Sequence, residues 1–180
     1  MKKTALLVFI LTFTQICSAQ TYLKANLIYW SVGIVNVSVE TKLAKKWTFN
    51  SDWVYSPWKS IRGNHFNFLQ IIPEARFYPK GAFNGLYFGG YGAFQAFDLT
   101  KWNYWNTGRH QEGLGLSLGA SIGYSYQINS RLGLDVYAGA GWQDSWYKGY
   151  YTQTNEKYIK WNGSGEWLPY KLGIAITYRL

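Results

Sequence analysis

The chain has 180 residues, enough for one domain built on a single core or closed sheet, and it is 20% aromatic but only 15% charged, with 10 Trp, 16 Tyr and 19 Gly. Its formal charge of +9 falls to +7 once Lys2 and Lys3 are set aside, and with no basic run longer than Lys45-Lys46 a nucleic-acid partner is not expected. The lone Cys17 excludes a disulfide framework and a thiolate metal site.

Residues 1–19 read as a secretory signal peptide: Lys2 and Lys3 open it, an apolar run covers Ala5 to Phe13, and Cys17 and Ala19 fill the small positions before a cut. A lipidated Cys17 is the weaker reading, because Ile16 stands where a small residue is wanted. Residues 20–180 then form the mature domain, in which no stretch approaches the roughly 20 apolar residues of a membrane helix.

Period-two alternation recurs eight times after the leader, which argues strands. The first covers about Tyr22 to Ser31 and the second Val35 to Leu43, with Val35, Val37 and Val39 facing away from Asn36, Ser38 and Glu40. Trp47, Phe49, Trp53 and Tyr55 mark the third. The fourth runs from about Phe68 to Tyr78, with a bulge or kink expected at Pro73 because proline cannot donate a ladder hydrogen bond. Gly85 to Phe97 is the fifth, and residues 113–128, GLGLSLGASIGYSYQI, are the sixth. Leu132 to Trp142 and Tyr170 to Leu180 complete the set.

The connections alternate in length. Those at 44–46, 79–84 and 129–131 are short and rich in turn formers, whereas 56–65, 98–112 and 143–167 read as long loops. Short turns on one side, long loops on the other and an even strand number are the marks of an outer-membrane barrel.

The rival is a soluble eight-stranded barrel, which points its large apolar residues inward. Here the opposite face carries Gly115, Gly119, Gly123, Gly133, Gly139, Gly141 and Gly173, a poor wall against water because glycine inside a strand is entropically costly. The polar face therefore belongs inside and the leucine face outside, against lipid. The fold expected is an all-β, eight-stranded, antiparallel up-and-down transmembrane barrel. Its interior would hold Lys24, Glu40, Lys42, Asp52, Glu74, Arg76, Asp135, Lys171 and Arg179, four acids and five bases able to neutralise one another. From these a structural polar network of Glu40, Asp52, Glu74, Arg76, Asp135, Lys171 and Arg179 is expected, a plug that fixes register rather than a proton or ion path.

The catalytic search returns little. His65 and His110 both fall in expected loops, and although Gln111 and Glu112 follow His110, no serine lies within a residue or two of either histidine. Two dispersed histidines without cysteine give no metal site, and no cofactor is expected. GLGLSLG resembles a phosphate-binding GxGxxG but lacks the following helix. The expected loops also contain Trp58, Arg62, Trp102, Trp105, Arg109, Trp146 and Trp161. These form a candidate surface for the sugars or phosphates of lipopolysaccharide or for a protein partner, and equally suit an aromatic girdle flanked by cations.

Several pieces resemble an uncharacterised family of Bacteroides-type outer-membrane barrel proteins, described as a domain of unknown function. They are Asn26-Leu27-Ile28-Tyr29-Trp30, Lys46-Trp47-Thr48, Pro57-Trp58, Pro73-Glu74-Ala75-Arg76-Phe77-Tyr78, Gly85-Leu86-Tyr87-Phe88-Gly89 and Pro169-Tyr170-Lys171-Leu172-Gly173-Ile174. Tyr170 and the terminal Leu180 depart from that pattern. The resemblance implies a location and a fold, with no catalytic residues to carry over. It also implies a neighbourhood of fimbria-like surface structures, and so a fimbrial component as a surface or periplasmic partner. The expected role is a non-enzymatic outer-membrane barrel in envelope structure or surface interaction. A lipid A-modifying enzyme and a small-solute channel are the alternatives.

Overall fold

A computed structural model describes residues 20–180; the leader assigned to residues 1–19 lies outside the described residues. Eight strands form one closed barrel in chain order: β1 (Thr21–Asn26), β2 (Val35–Lys42), β3 (Trp47–Ile61), β4 (Asn64–Phe77), β5 (Gly85–Leu99), β6 (Arg109–Gln127), β7 (Leu132–Tyr151) and β8 (Lys157–Arg179). Every neighbouring pair is antiparallel, and β1 closes the sheet on β8 through Tyr22↔Arg179 and Ala25↔Ile176. Among the described residues no helix is long and apolar enough to cross a membrane.

Two expectations about the elements need correction. The first strand ends at Asn26, and Leu27–Ser31 turn into one helical turn, because Asn26 acts as its cap: the Asn26 carboxamide oxygen accepts from Ile28 N at 3.0 Å. Of the stretches read as long loops, 56–65 and 143–167 are mostly strand, and 98–112 is strand at its two ends. β3 and β4 continue to a tight turn at Arg62 and Gly63, while residues 100–108 and 152–156 connect β5 to β6 and β7 to β8. Alternation does continue through those stretches, but their polar and aromatic content masks it, since above the apolar belt both faces of a strand can be wet.

Pro73 keeps its place opposite Ser51 on β3, yet on the β5 side the ladder passes from Ile71↔Phe94 directly to Glu74↔Tyr91. Equal numbers of residues are skipped on each strand, so the proline opens the ladder instead of bulging it. Beside this gap the outer wall carries an apolar groove of ≈ 640 Å³ lined by Ile71, Pro73, Gly92, Phe94, Leu118 and Trp142.

The polarity of the barrel is inverted relative to a water-soluble one. Leu118 on the outside is 76% exposed and Leu172 61%, whereas Glu74 and Arg76 inside are each 1% exposed. Along β7 the outward positions are apolar from Leu132 to Trp142 and turn polar at Asp144. At about 3.3 Å rise per residue and a tilt of about 45°, that run spans roughly 23 Å along the barrel axis.

Inside, the lumen is filled in layers. Tyr22, Tyr78 and Phe83 close the end that carries the short turns, with ring centroids of Tyr22 and Phe83 4.3 Å apart. At the other end Ile34, Val54, Phe68, Phe97 and Tyr147 form an apolar cluster. Charged side chains occupy the middle. The glycines of β6 make room for them: a Cβ at Gly123 would strike the Tyr87 ring, and one at Gly119 the Tyr91 ring.

Candidate functional site

Alternation places the interior charges on separate strands, and barrel closure brings them together. Lys24 on β1 pairs with Glu40 on β2 and with Asp135 on β7, the latter at 2.5 Å. Arg76 on β4 reaches Glu40 at 2.8 Å, Asp135 at 2.8 Å and Glu74 at 2.7 Å. Lys171 on β8 holds Asp52 at 2.6 Å and Glu74 at 2.8 Å. Glu74 therefore links the arginine half of the network to the lysine half.

Arg179 is a correction. It has the inward parity of β8 but lies exposed at the barrel end, beside Ser130 and Arg131, and Lys42 at the end of β2 is likewise exposed. Alternation specifies the face a residue takes, while depth along the barrel decides whether that face is enclosed. The enclosed set is thus Glu40, Asp52, Glu74 and Asp135 against Lys24, Arg76 and Lys171, one carboxylate in excess.

Neutral donors serve the remaining lone pairs. Tyr78 donates to Glu40 at 2.9 Å, Tyr87 to Asp135 at 3.0 Å and Thr48 to Glu40 at 2.5 Å. Ser38 hydrogen-bonds Asp52, and Ser121 hydrogen-bonds Glu74. The Arg76 guanidinium also lies over the Tyr87 ring, 4.5 Å from its centroid. Buried carboxylates are tolerable only when each is paired and hydrogen-bonded in this way.

The residues of the candidate loop surface are distributed over several strands and connections. Trp58 sits on β3 with Nε1 donating to Val32 O at 3.1 Å, so it braces the β1–β2 connection. Arg62 forms the β3–β4 turn and shares a cleft of ≈ 380 Å³ with Trp105, His65 and Phe66. Trp102 begins a short 3-10 turn, Trp102–Tyr104. Arg109 lies over the rings of Tyr151 and Tyr158 at 5.5 and 5.1 Å. Trp146 and Trp161 are exposed on β7 and β8.

The structure also brings together two histidines that lie 45 residues apart in the chain. The rings of His65 and His110 stack at 3.8 Å with an interplanar angle of 11°, and His110 stacks in turn on Tyr150 at 5.4 Å. Asp98 joins them, its two carboxylate oxygens 2.7 and 2.8 Å from His65 Nδ1. His110 is buried, and burial together with the neighbouring His65 holds its proton affinity below the usual imidazole range despite Asp98 and Glu112. One signal was present in the sequence: His65, Asp98 and His110 continue the outward parity of Leu69, Ala96 and Leu114 once the strands are allowed to run on.

A family model described as a protein of unknown function, DUF3575, matches residues 4–180. No curated protein and no solved structure matches the chain.

Proposed function

The chain belongs to the DUF3575 family of proteins of unknown function, and from that membership and the barrel's polarity we propose that it is a non-enzymatic β-barrel of the bacterial outer membrane with a structural or surface-interaction role in the cell envelope. The observation that carries this reading is the outward ring of large apolar side chains around an ion-paired interior. Water-soluble monomers rarely expose contiguous apolar surface beyond a few hundred Å². Here Val35, Val37, Val39, Leu114, Leu116, Leu118, Val136, Leu172, Ile174 and Ile176 are all exposed on the barrel wall. Hydrocarbon is the solvent that satisfies such a wall, and its estimated height of roughly 23 Å suits the apolar band of about 25 Å in outer-membrane barrels.

A packed lumen argues against a solute channel. Aromatic, ionic and apolar clusters occupy successive levels of it, as expected where eight strands leave room for side chains alone. At the histidines, the hydroxyl that the described residues place beside His110 is that of Thr152, 3.2 Å from Nδ1, where a lipid A-modifying enzyme would want an activated serine. The leader read in residues 1–19 supports export to the outer membrane. The sequence resemblance alone supports a Bacteroides-type envelope and a link to fimbria-like fibres, with lipopolysaccharide and a fimbrial component as partners.

The test is membrane fractionation of cells expressing the untagged protein, followed by crosslinking and identification of what is captured. Recovery in the outer membrane as a heat-modifiable band is expected. A monodisperse protein in detergent-free buffer would overturn the reading.

A further inference from the structure

We propose that His65, Asp98 and His110 form a binding site for one divalent transition-metal ion, with zinc the best fit, on the outer face of the β4–β5–β6 wall. The site follows from the ladder. Leu69, Ala96, Leu114 and Trp146 form one outward row across β4 to β7. The next row toward the long hairpins contains Asn67, Asp98, Glu112 and Lys148. In the row beyond, His65 is hydrogen-bonded to Thr100, and His110 is paired with Tyr150. Three strands thus deliver two imidazoles and a carboxylate to one place.

One ligand atom from each of the three residues lies within 4.8 Å of the others. Orientation favours ligation. The Thr152 hydroxyl engages His110 Nδ1 at 3.2 Å, which leaves Nε2 directed at Asp98 Oδ1, 3.9 Å away, and at Glu112 Oε1, 4.0 Å away. Neither separation is a hydrogen bond, but both are short enough for an ion to bridge with metal–ligand distances of about 2.0–2.2 Å. A second-sphere partner on the far nitrogen is the usual way a ligating imidazole is held. Glu112 is half exposed and stands ready as a fourth ligand, or water takes that position through the adjoining cleft.

The rings lie parallel as they stand, so binding requires His65 and Asp98 to turn until their donor atoms converge with His110 Nε2. Both are partly exposed, at 22% and 30% of the side chain, and can do so. Two imidazoles with one carboxylate select zinc or a neighbouring transition metal over calcium or magnesium, which prefer all-oxygen shells.

The test uses the untagged protein folded in detergent and stripped with chelator. Titration calorimetry with zinc chloride should show one saturable site, and magnesium chloride should show none. His65→Ala combined with His110→Ala, and separately Asp98→Asn, should weaken zinc binding by more than about 100-fold, beyond the range expected for second-sphere changes. Heat-modifiable migration checks that each variant folds. The wild-type chain gives a readout that needs no variant: of its two histidines, His65 is partly exposed and His110 is buried, so zinc should protect His65 from diethylpyrocarbonate. Absence of a saturable zinc site, unchanged affinity in the folded variants, or equal His65 modification with and without zinc would each overturn the proposal.

Discussion

Arg76 on β4 reaches Asp135 on β7 across the lumen, its Nη1 donating to Oδ2 at 2.8 Å, although the two strands share no ladder. The same guanidinium holds Glu40 on β2 and Glu74 on its own strand, so a single side chain ties β4 to β2 and β7, neither of which is its ladder neighbour. With four enclosed carboxylates facing three cations, its removal cannot be made good by its neighbours. Arg76→Met should destabilise the barrel by about 3–5 kcal/mol, the cost of leaving buried charge unpaired. Arg76→Lys should recover part of that, since an ammonium keeps the charge but loses the planar fork. Urea unfolding followed by tryptophan fluorescence, in one detergent throughout, measures both; a loss below 1 kcal/mol for the methionine variant would mean that the network is decorative.

The glycine-rich inner face of β6 has an equally specific cause. Tyr87 crosses from β5 over Gly123, and its hydroxyl continues to Asp135 at 3.0 Å. Gly123→Val should therefore cost about 1–3 kcal/mol by overpacking. Tyr87→Leu shortens the obstructing side chain, so the double variant should be less destabilised than the two single changes add to. A strictly additive pair in a double-mutant cycle would show that the two positions do not compete for space.

Most of the barrel and much of its interior can be read from residue order alone. A residue such as Glu74 is placed inside because Ala75 and Ile71 on its strand are apolar and face the other way, and that parity persists for a whole strand. Arg179 shows the limit: parity puts it inward, but it sits where the barrel has already opened to water. The His65–Asp98–His110 cluster marks a second limit. Its members lie far apart in the chain, in stretches whose mixed polarity hides the continuing strand, and only the register of β4, β5 and β6 aligns them. The network hydroxyls Ser38, Thr48 and Ser121 look like ordinary polar strand residues until the opposite wall is in place.

Gly33 makes a narrower prediction about the rim. Its φ of +70° is the left-handed region, and a Cβ there would lie 2.8 Å from Trp58 Cζ2. Gly33→Ala should cost about 1–3 kcal/mol locally, through backbone strain and displacement of the indole. Because Trp58 Nε1 would then lose Val32 O, the β1–β2 connection should exchange amide hydrogens faster while the central strands remain unchanged. Uniform acceleration across all strands would place the effect on global stability and not on this brace.

Leu118 offers the sharpest test of what surrounds the wall. It is 76% exposed at the middle of the outward row of β6, flanked two residues away by Leu116 and Ala120. On a water-facing surface Leu118→Arg would change stability by no more than about 0.5 kcal/mol. Facing hydrocarbon near the midplane it should cost about 2–4 kcal/mol, and the penalty should shrink for the same change at Tyr126, close to the short-turn end. Reversible unfolding from lipid vesicles, read at both positions, measures the depth profile directly. A penalty at Leu118 no larger than at Tyr126 would remove the lipid from this face, because a charge in water does not sense how far along the barrel it stands.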